Sequence, residues 1–314
     1  MRRSLVALLL PALAGCATLG ATVSPKQADR PIAVELDDGT GLTAVLRLPA
    51  AGGPFPAVIL LHGCDGPASR AVEGWRRELG AWGYATLAVD SFGSRQVATT
   101  CDPRSKLWFA ERVPDAYGAL RALATQPQIA RDRIVLMGLG DGGEAVIRAA
   151  SLVVAERFAP PASPRFRAFV ALYPDCRVFF EHGEAAGGVR PDMARLAAPV
   201  RIYAGDADER APAHACETLT RTLATGGNSV AVTVYNGAAH AFDSEPASKP
   251  LAGALEPKST TRAAEEKPQL PAPAEKPGAA TVVPGKPVSR WNPEATARAR
   301  QSVREQLATL IGPN

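Results

Sequence analysis

The chain has 314 residues, 46% of them hydrophobic and 21% charged, and its 35 basic and 31 acidic side chains leave a net charge of +4. That balance excludes a wholly disordered chain, a collagen-like chain and a small disulfide-stapled scaffold. No basic stripe interleaved with aromatic residues occurs, which argues against a nucleic-acid partner.

Residues 1–16 read as an export signal. Arg2 and Arg3 form a positive start, and Leu5 to Leu13 form an apolar stretch too short to span a bilayer. The run Leu13, Ala14, Gly15, Cys16 resembles the lipobox of bacterial lipoproteins, in which the cysteine is acylated and becomes the first mature residue. This resemblance implies an exported chain anchored to the membrane through lipid on Cys16. Ala17, with no acidic residue after the cysteine, implies the outer membrane, facing the periplasm. The other reading is a general signal peptide with an incidental cysteine. Residues 17–30 read as a linker.

Short apolar runs predict strands at 32–36, 42–48, 57–61, 85–89, 133–137, 168–172, 200–204 and 230–235. Helix periodicity lies between most of them, at 71–82, 116–125, 143–154 and 212–224. A leading hairpin followed by alternating strands and helices predicts an α/β domain. Its sheet should be mostly parallel and covered by helices on both faces. Residues 244–290 hold nine of the 28 prolines and no Phe, Tyr or Trp, and Lys-Pro pairs recur at Lys249, Lys267, Lys276 and Lys286. That composition reads as a disordered insertion. Beyond it, Asn292 suits a helix cap and Pro293 the first turn. Ala295, Ala299, Val303, Leu307 and Ile311 form one apolar stripe, so the last helix should pack back on the sheet. The domain therefore comprises residues 31–243 and 291–312.

Four segments close predicted strands with residues suited to acyl-transfer chemistry. They are Leu60-Leu61-His62-Gly63, Met137 to Gly143, Gly205-Asp206-Ala207-Asp208, and Tyr235 to Phe242 with His240. The order along the chain is a glycine-rich turn, then a carboxylate, then a histidine, the order of an α/β-hydrolase. With Gly237-Ala238-Ala239-His240-Ala241-Phe242, Val89-Asp90-Ser91-Phe92 and Asp115-Ala116-Tyr117, the domain resembles the dienelactone hydrolase family. The resemblance implies that His240 is the general base, that Asp208 orients it, and that the His62, Gly63, Cys64 loop helps hold the oxyanion. It also implies a small ester or lactone as substrate and no cofactor.

One departure stands out. The family turn reads glycine, any residue, cysteine or serine, any residue, glycine, glycine, and here Gly140 occupies the nucleophile slot. Ordinary acyl-enzyme chemistry then has no attacking group, so activity should be weak or lost. Asp141 is a candidate substitute nucleophile, as is the Cys64 thiol, and water activated directly by His240 is a third option. The loop after strand 57–61 also lacks the glutamate of dienelactone hydrolases proper, which argues against a diene-lactone substrate. The alternative is a non-catalytic envelope lipoprotein that binds a ligand or partner through the retained pocket or the Lys-Pro-rich insertion. In that case His240 and Asp208 merely tie two loops together. Asp206 and Asp243 read as loop-capping carboxylates, and His62 as a ring tied to nearby backbone. His182 and His214 lack metal-ligand spacing, so no metal site is expected.

Cys64, Cys101, Cys176 and Cys216 make an even set in an exported chain, open to three pairings or to none. In the fold that the resemblance implies, Cys64 with Cys101 and Cys176 with Cys216 each follow neighbouring strands, and this pairing is preferred.

Overall fold

The computed structural model describes residues 29–50, 52–102, 104–105, 107–181, 188–246 and 291–312. The signal at 1–16, most of the linker, His182 and all but the first three residues of the 244–290 insertion lie outside the described residues. Eight strands form one sheet: β1 (Arg30–Glu35), β2 (Gly41–Arg47), β3 (Phe55–Leu61), β4 (Ala85–Asp90), β5 (Ile129–Leu139), β6 (Ala168–Leu172), β7 (Val200–Gly205) and β8 (Val230–Tyr235). Their spatial order is β1-β2-β4-β3-β5-β6-β7-β8. The β1–β2 and β2–β4 pairs are antiparallel and every other pair is parallel.

Each predicted strand is present. Strand β1 starts at Arg30, and Asp29 bonds Arg47 and Arg76, so the last two linker residues belong to the domain. All seven residues of β3 and all five of β6 are buried, as expected of central parallel strands covered on both faces. Alternation survives towards the sides of the sheet, in β2 and β8.

The pleat divides the core in two. Ala57, Ile59 and Leu61 of β3 face the layer built from α2 (Val113–Ala124), α3 (Asp141–Ala149) and α5 (Ala213–Thr225). Val58 and Leu60 face α1 (Arg70–Ala81) and α6 (Pro293–Ile311). The stripe predicted on the last helix is buried in this second layer, with Ala299, Val303 and Leu307 each 0% exposed. Asn292 caps α6 by accepting from the Ala295 N–H, and Pro293 opens it.

One predicted helix is two. The run expected at 143–154 begins at Asp141, ends at Ala149 and restarts as α4 (Leu152–Phe158). At the break, Ser151 bridges to Leu196, bonds the Asp192 carbonyl through its hydroxyl, and accepts from Val154 as the new N-cap. A local pattern carries no trace of these distant partners.

Both preferred disulfides are formed, Cys64–Cys101 and Cys176–Cys216. Each ties segments that follow adjacent strands, β3 with β4 and β6 with β7.

Candidate active site

The site is assembled at the carboxyl ends of β3, β5, β7 and β8, where an open α/β sheet presents its crevice. The turn from β5 into α3 is tight. A Cβ at Gly138 would stand 2.2 Å from the Gly142 carbonyl oxygen, and one at Gly142 would stand 2.4 Å from the Leu61 carbonyl oxygen. Only glycine fits at either position. Between them Gly140 has φ +51° and ψ −119°, a sharp conformation that L-residues rarely adopt.

At the end of β8, His240 turns its Nδ1 to Oδ2 of Asp208 at 2.8 Å. The Asp208 side chain is fully buried. Its Oδ1 accepts from the N–H groups of Arg210 at 3.0 Å and Ala211 at 2.8 Å. With Nδ1–H given to the carboxylate, Nε2 is the free lone pair. It points at residue 140, where a side chain would place its Cβ 3.5 Å from Nε2 and 3.9 Å from both His240 Cε1 and Tyr173 Cδ2. These are ordinary contact distances, so the position is open.

His240 is braced by Tyr173 and Trp75, which the sequence does not mark, and by Asp243. Tyr173, itself at φ +41°, packs edge-on against the imidazole with ring centres 5.1 Å apart. Its hydroxyl donates to Asp243 at 2.9 Å, and Trp75 Nε1 donates to the other Asp243 oxygen at 2.7 Å. Asp243 is therefore no loop cap. It is a buried carboxyl that burial pushes upward and the two donors pull down. The Tyr173 hydroxyl is held well above its usual range by burial and by Asp243. Asp206 does cap its loop, accepting from the Gly237 N–H. The start of α6 closes the back of the histidine loop, since Asn292 N–H and Thr296 Oγ1 both donate to the Phe242 carbonyl.

The His62 loop is fixed from below. The His62 ring donates from Nδ1 to the Gly63 carbonyl at 2.7 Å and accepts at Nε2 from the Ser91 N–H. Burial, then the nearby Arg112 cation, lowers its pKa to about 3, so the ring is neutral and structural. Arg112 is completely buried and gives Nη2 to the His62 carbonyl at 2.7 Å. This orients the loop that carries Gly63 and Cys64.

Asp141, the first residue of α3, points to other partners than the imidazole. It accepts from Thr100 Oγ1 at 2.7 Å and lies 3.6 Å from Arg210. Its backbone N–H, at the helix start, has no acceptor inside the helix. That N–H is next in the chain to position 140, and the His62–Cys64 loop follows β3, the strand paired with β5. Thr99 and Thr100 bond the Cys64 carbonyl, and the Cys64–Cys101 bridge pins this strap over the loop, so Cys64 is no free thiol. Glu144, one turn into α3, is pushed up to about 8 by burial and by the Asp141 charge. Asp65, at the rim, is raised by desolvation, its own backbone N–H pulls it down, and the Asp141 carboxylate adds to the rise.

A Gly-flanked turn, a carboxylate and a histidine at the ends of β5, β7 and β8 define an α/β-hydrolase. The chain belongs to the dienelactone hydrolase family, whose model matches residues 42–269. No curated protein matches its sequence significantly. Among solved structures it is similar to a protein described as a dienelactone hydrolase from Klebsiella pneumoniae subsp. pneumoniae MGH 78578. That match has 18% identity and a TM-score of 0.62, over 90% of this chain and 99% of that one. It is similar to a dienelactone hydrolase-like promiscuous phosphotriesterase from metagenomic libraries at 20% identity and TM-score 0.62, over 91% and 99% of the two chains. A brefeldin A esterase matches at 18% identity and TM-score 0.54, over 72% and 73%. At these identities the likeness is one of fold.

Proposed function

We propose that the protein is a hydrolase of small carboxylic esters or lactones in which His240 activates water directly. Gly140 takes the place of the side-chain nucleophile. His240 Nε2 removes a proton as the water oxygen bonds the carbonyl carbon. The Asp141 N–H and the Gly63–Cys64 loop stabilise the oxyanion. When the tetrahedral adduct collapses, the leaving alkoxide takes that proton back from Nε2, and Asp208 holds the ring throughout. No covalent intermediate forms, and the rate is well below that of a hydroxyl- or thiol-bearing relative. The observation that carries this reading is the aim of the intact His240–Asp208 pair, whose free nitrogen stands 3.5 Å from where a Cβ at residue 140 would be. Short-chain aryl esters and lactones offered to residues 17–314 test it. Turnover above buffer that disappears in His240→Ala supports the enzyme. Turnover at the buffer rate, or unchanged in that variant, leaves only a binding role.

The second part of the proposal is location: export and acylation at Cys16, with the domain in the periplasm at the outer membrane. Metabolic labelling with palmitate, lost in Cys16→Ser, tests that step.

A further inference from the structure

The sheet end opposite the active site carries four arginines. Arg131 and Arg133 lie on β5, and Arg165 and Arg167 lie on the segment leading into β6. They line a cleft of about 590 Å³ in which Asp132 is the one carboxylate. Arg133 is used structurally, since it donates to the Ile311 and Gly312 carbonyls at the end of α6. Arg131, Arg165 and Arg167 are exposed, and among the described residues none of the three has an ion-pair partner. A second cavity of about 310 Å³ adjoins the cleft through Arg165, Arg167 and Leu310, and is lined by Phe166, Phe169 and Ala159. A cationic rim over an apolar floor suits a lipid interface better than a free-anion site.

The direction of β1 supplies the second argument. Strand β1 is antiparallel to β2, which is antiparallel to β4, so β1 runs with the parallel strands and starts at their amino ends. Asp29 and Arg30, where the chain enters the domain, therefore lie at the same end as the four arginines. Twelve residues separate Cys16 from Asp29, a reach of at most about 47 Å.

We infer that this arginine face docks on the phosphate headgroups of an anionic phospholipid leaflet, with the active site directed away from the membrane. Orientation by the tether rests on the acylation proposed above, whereas the docking surface itself does not. The test uses unacylated residues 17–314 and sedimentation with vesicles of phosphatidylcholine alone or mixed with phosphatidylglycerol. Binding should require phosphatidylglycerol and weaken with salt. Each arginine near an anionic surface contributes about a factor of five. The triple variant Arg131→Ala, Arg165→Ala, Arg167→Ala should therefore bind on the order of a hundredfold more weakly. The matching lysine variant should keep most of the affinity, and unchanged thermal unfolding shows that both variants are folded. Equal binding to the two vesicle types, or an unaffected triple variant, overturns the inference. So does inorganic phosphate that stabilises the protein through these arginines without any preference for anionic vesicles. Vesicle binding by a chain whose Cys16 proves unacylated in cells supports the docking surface while removing the anchor.

Discussion

Replacing Gly140 with serine adds one methylene and one oxygen at the bend between β5 and α3. The new Cβ meets His240 Nε2 at 3.5 Å and Tyr173 Cδ2 at 3.9 Å, so nothing has to move aside. The cost is conformational, because a side chain at φ +51° and ψ −119° is strained by about 1–3 kcal/mol. The hydroxyl, one bond beyond Cβ, comes within the roughly 2.6–3.2 Å needed to give its proton to the imidazole. Losing a triad nucleophile costs on the order of a million-fold in turnover. Restoring one in a site not tuned for it should recover at least the contribution of a positioned base, about a hundredfold in kcat/KM or roughly 2.7 kcal/mol of barrier. The assay is release of nitrophenol from its acetate ester, with a pre-steady-state burst reporting the acyl-enzyme. Gly140→Ala carries the same strain without the oxygen and should show no gain. Gly140→Ser and Gly140→Cys proteins that fold, yet hydrolyse no faster than Gly140→Ala, would refute the claim that base and oxyanion donors remain aligned on this position.

Three other outcomes are expected. Glu144 has a folded pKa near 8 against an ordinary 4.5, so the native state holds the extra proton between those values. Its contribution to stability is complete below pH 4.5 and is lost as pH rises towards 8, by at most about 1.4 kcal/mol per unit. Urea unfolding of Glu144→Gln should lack this decline, and a parallel decline in both proteins would contradict it. The Cys64–Cys101 and Cys176–Cys216 bridges span 37 and 40 residues, so removing either should cost about 2–4 kcal/mol, and oxidised residues 17–314 should show no free thiol. A Cβ at Gly205 would lie 2.0 Å from the Ala238 carbonyl oxygen. Gly205→Ala should therefore destabilise by about 3 kcal/mol or more and separate His240 from Asp208, seen as joint loss of thermal stability and esterase activity.

The placement of the candidate residues is legible in the sequence wherever they sit at the end of a strand. His240, Asp208, Gly140 and the His62 loop follow apolar runs whose period is local, and sheet order then places them together. The same logic reached the disulfides, because each pair follows neighbouring strands. What escaped is held by contacts remote in sequence. Trp75 and Asp243 are 168 residues apart and Tyr173 and Asp243 are 70 apart, yet together they brace the imidazole. Nothing in the local sequence marks Arg112, which burial puts against the His62 carbonyl, 50 residues away. Asp243 reads as a loop cap for the same reason, since a carboxylate beside a turn looks like one until its partners arrive from two other elements. The split at Ser151 depends on Asp192 and Leu196, which no helical period encodes.

The start of α6 meets the end of the histidine loop directly, since the Asn292 N–H bonds the Phe242 carbonyl, two residues past the imidazole. The domain thus has a splice point whose two lips already touch. Because one lip is the histidine loop itself, a foreign module inserted between Pro246 and Trp291 would sit closer to the chemistry than one fused at either terminus, which makes this junction the natural place to graft a sensor or a lid.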